Sequence, residues 1–291
     1  MTRSIRLALA AATILALSFA APAGAGDAPP PGGIFDLVGA RALGSSAATA
    51  GTSGTEAVFV NPGAIGIRGG YVAETLGVNE RRGATTTSRY LGALVVDAVS
   101  SPIAASFGYF SSMEGAQRGA LYLLGLAGPI TDKVHVGVQG RYLKLGGSEP
   151  IDAITVDAGL NFEVSSLVTI GVAGFNLVPT NHALLLPQSM GAGLVVGSDT
   201  SIRVLADWKG YFLPQGEMAS RYSAGVEALL GGMVALRAGW IRDDLLRTSW
   251  LSAGIGLVTG DGFAIDAGYK QSLDSTSARQ MALSLRYYPP Q

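Results

Sequence analysis

The chain contains no cysteine. Disulfide scaffolds, thiolate metal sites, cysteine nucleophiles and a lipid-bearing N-terminal cysteine are thereby excluded. Charge is also scarce: Asp, Glu, Lys and Arg make up 14% of the 291 residues, against about a quarter in an average soluble domain. Only two histidines occur, His135 and His182, and neither has carboxylates at metal-ligand spacing. The sequence has no Gly-x-Ser-x-Gly elbow, no Walker loop and no phosphate-binding glycine motif ahead of a helix. These absences argue against an enzyme and against any metal or other cofactor. The net charge of −1 argues against nucleic acid. After residue 26 no stretch offers the ~20 consecutive apolar residues of a membrane-spanning helix. Yet hydrophobic residues reach 48% and the mean hydropathy is +0.35. A chain this apolar without a spanning helix points to strands.

Residues 1–25 have the layout of a secretory signal peptide. Arg3 and Arg6 form the positive end, Leu7 to Ala21 the apolar segment, and Ala23-Gly24-Ala25 the small-x-small cleavage pattern. Asp27 to Gly33, rich in Pro and Gly, predicts a flexible leader. The expected division is a signal peptide (1–25), a leader and N-terminal plug (26–69) and a β-barrel (70–291), exported to the outer membrane of a Gram-negative bacterium.

From Gly70 onward the hydrophobic pattern has period two. Val134, Val136, Val138 and Tyr142 share one face, His135, Gln139 and Arg141 the other. The same alternation returns from Ile202, from Phe263 and from Gln280. Fourteen candidate strands of barrel-crossing length emerge. Three alternate weakly (near 87–97, 118–128 and 248–258), which keeps twelve open. The links after the even-numbered strands are short and the others longer, as in a barrel with short periplasmic turns and longer outer loops. The fold expected is all-β, a transmembrane antiparallel β-barrel whose outer face meets membrane lipid.

The inward face is expected to be small (Gly, Ala, Ser) with a few charges, among them Arg141, Arg203, Asp207, Asp266, Lys270 and Arg286. Such charges could line a polar path or meet a ligand headgroup. They could equally neutralise one another and tether the wall to a plug. Aromatics near strand ends, including Tyr71, Tyr90, Tyr142, Trp208, Tyr211, Trp240, Trp250, Tyr269 and Tyr287, fit interfacial girdles. One loop, Val178 to Pro187, carries the apolar run Ala183 to Leu186. Leu184, Leu185 and Leu186 could contact an apolar ligand from outside, or could cap the barrel.

The stretch from Gly39 to Ile65 is too rich in Gly, Ala and Ser for a core of its own and too apolar for a polar linker. Small residues suit a segment folded inside something narrow. The stretch therefore reads as a plug in the periplasmic mouth. It also resembles the N-terminal signature of the FadL/PorV group of outer-membrane proteins, roughly G-x-R-x-x-G-x-G-G-A followed by A-x-x-x-N-P-A-x-L. Gly39, Arg41, Gly44, Ala48, Ala57, Asn61 and Pro62 match, while Ser46-Ala47, Gly63 and Ile65 depart. Asn176-Leu177 and Leu186-Pro187, which bound the apolar loop, are a second point of similarity. The resemblance implies a fourteen-stranded plugged barrel. Its fatty-acid-transporter side implies passive uptake of a hydrophobic small molecule. Its PorV/PorQ side implies a scaffold that holds secreted or periplasmic proteins, and the compact loops suit that side. A purely structural barrel is the third reading.

Overall fold

The computed structural model describes residues 37–82, 86–114, 117–147, 150–182, 185–213 and 216–289. The expected signal peptide lies outside them, as does Leu184. Fourteen strands follow one another: β1 (Tyr71–Arg82), β2 (Thr86–Asp97), β3 (Ala104–Glu114), β4 (Gln117–Thr131), β5 (Val134–Leu145), β6 (Ile151–Ser165), β7 (Val168–Phe175), β8 (Ser189–Gly197), β9 (Ile202–Phe212), β10 (Met218–Leu230), β11 (Val234–Asp243), β12 (Thr248–Val258), β13 (Phe263–Ser272) and β14 (Arg279–Tyr287). Each pairs antiparallel with its sequence neighbours, and β14 closes onto β1 from Ala73–Tyr287 to Arg81–Arg279. Closure leaves no edge strand, the condition for a sheet to stand in hydrocarbon.

The outward face carries large apolar side chains on nearly every strand. Leu91, Leu124, Ile154 and Leu283 are each at least 60% exposed. An apolar surface that surrounds the molecule is intolerable in water and is what a lipid-facing band requires. The protein is thus an outer-membrane β-barrel. Two of the weakly alternating strands owe that weakness to being apolar on both sides. On β2, Tyr90, Leu94 and Val96 point inward while Leu91 and Val95 point out. On β4, Leu121 and Leu123 point inward while Leu124 and Leu126 point out. Both are full strands, so the count is fourteen and not twelve.

Three expectations need correction. The inner face is not uniformly small and polar. Along β1–β5 it holds Leu76, Val78, Tyr90, Leu94, Phe110, Leu121, Leu123 and Leu143, all buried in one apolar cluster. The expected contrast in loop length is also mostly lost, because strands run further than the alternation shows. On the outer side β1 and β2 are as few residues apart as strands joined at the other end, as are β3 and β4, and only the separation at 176–188 is long. Finally, Tyr90, Tyr211 and Trp250 do not belong to a girdle; they are buried on the inner side.

Inside the barrel, residues 37–67 fold into two short helices, α1 (Ala40–Ser45) and α2 (Ala57–Val60), with single turns at Gly54–Glu56 and Pro62–Ala64. α1 faces β10 to β14 and the Pro62–Ala64 turn faces β4 to β7. The segment therefore spans the lumen as a plug, from mid-barrel toward the end opposite the long loop. Wall glycines let it touch. A Cβ on Gly225 would lie 1.9 Å from the Ser45 carbonyl oxygen, one on Gly239 2.3 Å from the same atom, and one on Gly268 2.3 Å from the Ala40 oxygen. On the other side, a Cβ on Gly137 would lie 2.2 Å from the Pro62 oxygen, and one on Gly171 2.3 Å from the Thr49 oxygen. These glycines provide close approach of two backbones. The small inner face thus follows the track of the plug.

Gly225→Val is expected to leave the barrel folded and the plug displaced, because the wall strand is held by its two neighbours and the plug is not. Planar-bilayer recordings should show higher ion conductance than the unaltered protein, and unchanged conductance would show that the plug can yield locally.

Candidate functional site

The candidate site is the plug, its attachments and the space above it. Several of the matching motif residues hold the plug together or fasten it to the wall. Glu56 is fully buried and its carboxylate accepts hydrogen bonds from the Arg41 and Ala42 backbone N–H groups, at 3.1 and 3.2 Å. It thereby satisfies free donors in the first turn of α1, where negative charge is favoured. Gly39 makes room for this, since a Cβ there would sit 2.3 Å from the Glu56 carboxyl group. Gly44 packs backbone to backbone on Gly254, with 2.8 Å left for a Cβ. Asn61 donates through Nδ2 to the Thr49 and Leu160 carbonyls, at 2.9 and 3.1 Å, and accepts from the Gly63 N–H at 3.0 Å. Pro62 starts the turn that follows, a position that needs no N–H.

Arg41 leaves α1 and forms a two-pronged pair with Glu227 of β10, Nε to Oε2 at 2.9 Å and Nη2 to Oε1 at 2.7 Å. The same carboxylate takes Arg203 of β9 at 2.9 Å and Arg237 of β11. Arg237 continues to Asp266 of β13 at 2.6 Å, and Asp266 also binds Arg286 of β14. Four guanidiniums (Arg41, Arg203, Arg237, Arg286) are thus joined by the carboxylates of Glu227 and Asp266. Pairing of this kind is what low-dielectric burial demands of a charge.

The other candidate inward charges divide between the wall and the plug. Arg141 pairs with Asp157 at 2.6 Å. Asp207 gives its Oδ2 to the plug, accepting from the N–H groups of Ala48 (2.6 Å) and Thr49 (2.9 Å) and from the Thr49 hydroxyl (3.0 Å). Lys270 lies over the Trp250 ring, 5.0 Å from its centre, and Lys209 lies over Phe175 at 4.2 Å. Among the described residues no group of three or more His, Asp or Glu could hold a metal ion.

A cavity of about 100 Å³ lies on the long-loop side of the plug. Leu43 and Phe59 form its apolar floor, and Arg141, Asp207, Lys209 and Lys270 line its walls. The long loop folds inward over this end. Asn176, in the left-handed conformation at φ 53°, donates its side-chain amide to the Pro187 carbonyl at 2.9 Å. That bond joins the two ends of the loop. Leu185 and Leu186 are buried in the same apolar cluster as Phe59 and the β1–β5 wall, so they are not presented to the exterior. Sequence reasoning missed Glu56 and the apolar inner wall. Glu56 was findable, as the one acid between Gly39 and Ile65. The wall was not, because a lone strand pattern does not say which apolar face turns inward.

No protein-family model and no curated protein sequence matches the chain. Solved structures do. The CymD monoaromatic hydrocarbon channel is similar at a TM-score of 0.66 and 15% identity, over 89% of this chain and 98% of that one. A Pseudomonas aeruginosa FadL homologue is similar at 0.66 and 11%, over 91% and 100%. The Pseudomonas putida toluene transporter TodX is similar at 0.60 and 14%, over 87% and 97%. At these identities the likeness is one of fold, and the chain has the FadL-type barrel.

Glu227→Gln removes the carboxylate that three arginines share. Loss of one side of a buried ionic cluster costs about 3–5 kcal/mol, so the variant's barrel should melt at lower temperature and lower urea, followed by the mobility shift of folded against heated protein in electrophoresis. Arg41→Gln, which removes one of the three arginines, should have a smaller effect.

Proposed function

We propose that this FadL-type barrel passes a hydrophobic small molecule inward across the outer membrane, without an energy source of its own. The observation that carries the reading is the apolar inner wall. A water-filled pore has no use for Leu76, Val78, Leu94, Phe110, Leu121, Leu123 and Leu143 on its lumen side. A route for an apolar solute does.

The attachments of the plug indicate how it would yield. Its polar ties run to β5, β6, β9, β10 and β12 through Gln139, Leu160, Asp207, Glu227 and Ser252. Toward β1–β4 it presents Val58, Phe59 and Ile65 against aliphatic and aromatic side chains, with Phe59 and Phe110 edge to face at 5.4 Å. Breaking a buried ion pair is expensive. Exchanging one apolar contact for another costs little, because the hydrophobic effect has no direction. The ligand therefore enters at the cavity bounded by Leu43 and Phe59 and moves between the plug and the β1–β4 wall, while Glu227 and Asp207 hold the other flank. The neighbours named for toluene and monoaromatic hydrocarbons support an apolar substrate class, and the small cavity suits a compact one. Leu185 and Leu186 then serve as the inner lining of the entrance.

Mass spectrometry of the protein extracted gently from its own membranes tests this. A stoichiometric apolar small molecule is expected. Phe110→Asn, which places an unpaired amide on the route, should weaken its retention about tenfold, the effect of roughly 1–2 kcal/mol. Recovery of a stoichiometric secreted or periplasmic protein with no small ligand would overturn the transport reading and favour the scaffold, to which the short outer links are suited.

A further inference from the structure

A groove of about 440 Å³ lies on the outward face of the barrel, where the last strand meets the first. Two rows of outward residues form it. In the first, Tyr287 of β14, Ala73 of β1, Val95 of β2, Phe107 of β3 and Leu124 of β4 each stand directly opposite the next. The second row is two residues further along each strand, ~7 Å away, and holds Tyr71, Asp97 and Ala105. Ala73 and Ala105 leave the floor low, and Phe107 and Tyr287 raise the sides. The Tyr287 ring is held by Phe263, with ring centres 4.7 Å apart. Tyr71 opens the first strand and Tyr287 closes the last. The groove is therefore at the periplasmic end, and its second row is nearer the water.

The mouth of the groove is polar and acidic. Asp97 is the last residue of β2, and its Oδ1 accepts from the Val99 and Ser100 N–H groups at 3.0 and 2.9 Å. These bonds fix the carboxylate at the turn. Tyr71, directly opposite, shares a hydrogen bond between its hydroxyl and that of Ser100. One carboxylate and two hydroxyls thus stand where the hydrocarbon ends. Among the described residues no lysine or arginine lines the groove.

A hollow in a lipid-facing wall loses contacts on one side unless a chain fills it. The acid at the mouth then selects the headgroup. A lipid whose only charge is its phosphate meets a like charge at Asp97. A choline headgroup brings a cation that has no N–H to donate. A primary ammonium is compact and carries three donors, which suits a carboxylate flanked by hydroxyls. We infer that this groove is a binding site for phosphatidylethanolamine of the periplasmic leaflet. One acyl chain lies over Ala73 between Phe107 and Tyr287, and the ammonium sits on Asp97. The Tyr71 and Ser100 hydroxyls face the phosphate. The inference is independent of what the lumen carries.

The test is native mass spectrometry of the folded, detergent-solubilised protein, titrated separately with phosphatidylethanolamine, phosphatidylcholine and phosphatidylglycerol of identical acyl chains. A one-to-one adduct with phosphatidylethanolamine should form about fivefold more tightly than with either of the others, the upper end for an exposed ion pair. Asp97→Asn keeps an oxygen for the Val99 and Ser100 N–H groups and should erase the preference over phosphatidylcholine. Ala73→Leu fills the groove with a side chain that lipid tolerates and should weaken the adduct with all three lipids. Equal binding of phosphatidylcholine or phosphatidylglycerol, an Asp97→Asn variant that keeps the preference, or an Ala73→Leu variant that binds like the unaltered protein would each overturn the assignment. Should either variant fail to fold, the comparison of lipids on the unaltered protein still decides.

Discussion

A charged group enclosed in a narrow lumen has to find its opposite, and in this protein that requirement runs through Arg41 and Glu227. Arg41 sits on a helix of six residues that no propensity would sustain alone. Its guanidinium is fastened by both prongs to a carboxylate that two wall arginines also hold in place. The helix in turn keeps its first N–H groups satisfied through Glu56. Wall and plug are therefore mutually dependent. Without the plug, Glu227 loses one of its three arginines, and without the wall, α1 has no reason to be a helix.

The attachment is lopsided, and the lopsidedness gives the lumen its character. Directional, charge-assisted ties hold the plug to the later strands, while apolar side chains make most of its contact toward β1–β4. A boundary between a rigidly bonded flank and an apolar flank is where an apolar guest can be admitted at least cost. The outer surface shows the same division of labour. Its middle is apolar on strand after strand, and the bonded groups are kept inside.

Much of this was legible in the chain, element by element. The alternation around Val134 and Phe263 identified strands and faces correctly, because a period of two is a local property of the backbone. Fourteen strands emerged although β2 and β4 alternate poorly. The structure explains the difficulty, since Leu94 and Leu123 look inward beside Leu91 and Leu124 looking outward. The plug stretch announced itself by its small residues and by Gly39, Arg41, Gly44, Asn61 and Pro62. The girdle assignment of Tyr90, Tyr211 and Trp250 failed because an aromatic near a strand end looks the same in sequence whether it faces lipid or lumen.

What the sequence by itself determined was the strand pattern, the apolar outer band and the presence of a small-residue segment, all readable from composition and short-range period. What only the tertiary structure decided was which partners the buried charges chose, why the wall glycines must be glycines, and which strand faces turn apolar side chains inward. Those depend on barrel closure and register, which bring together residues such as Arg81 and Arg279 that lie nearly the whole barrel apart in the chain. No local pattern encodes the distance between them, because it is set by where the last strand meets the first.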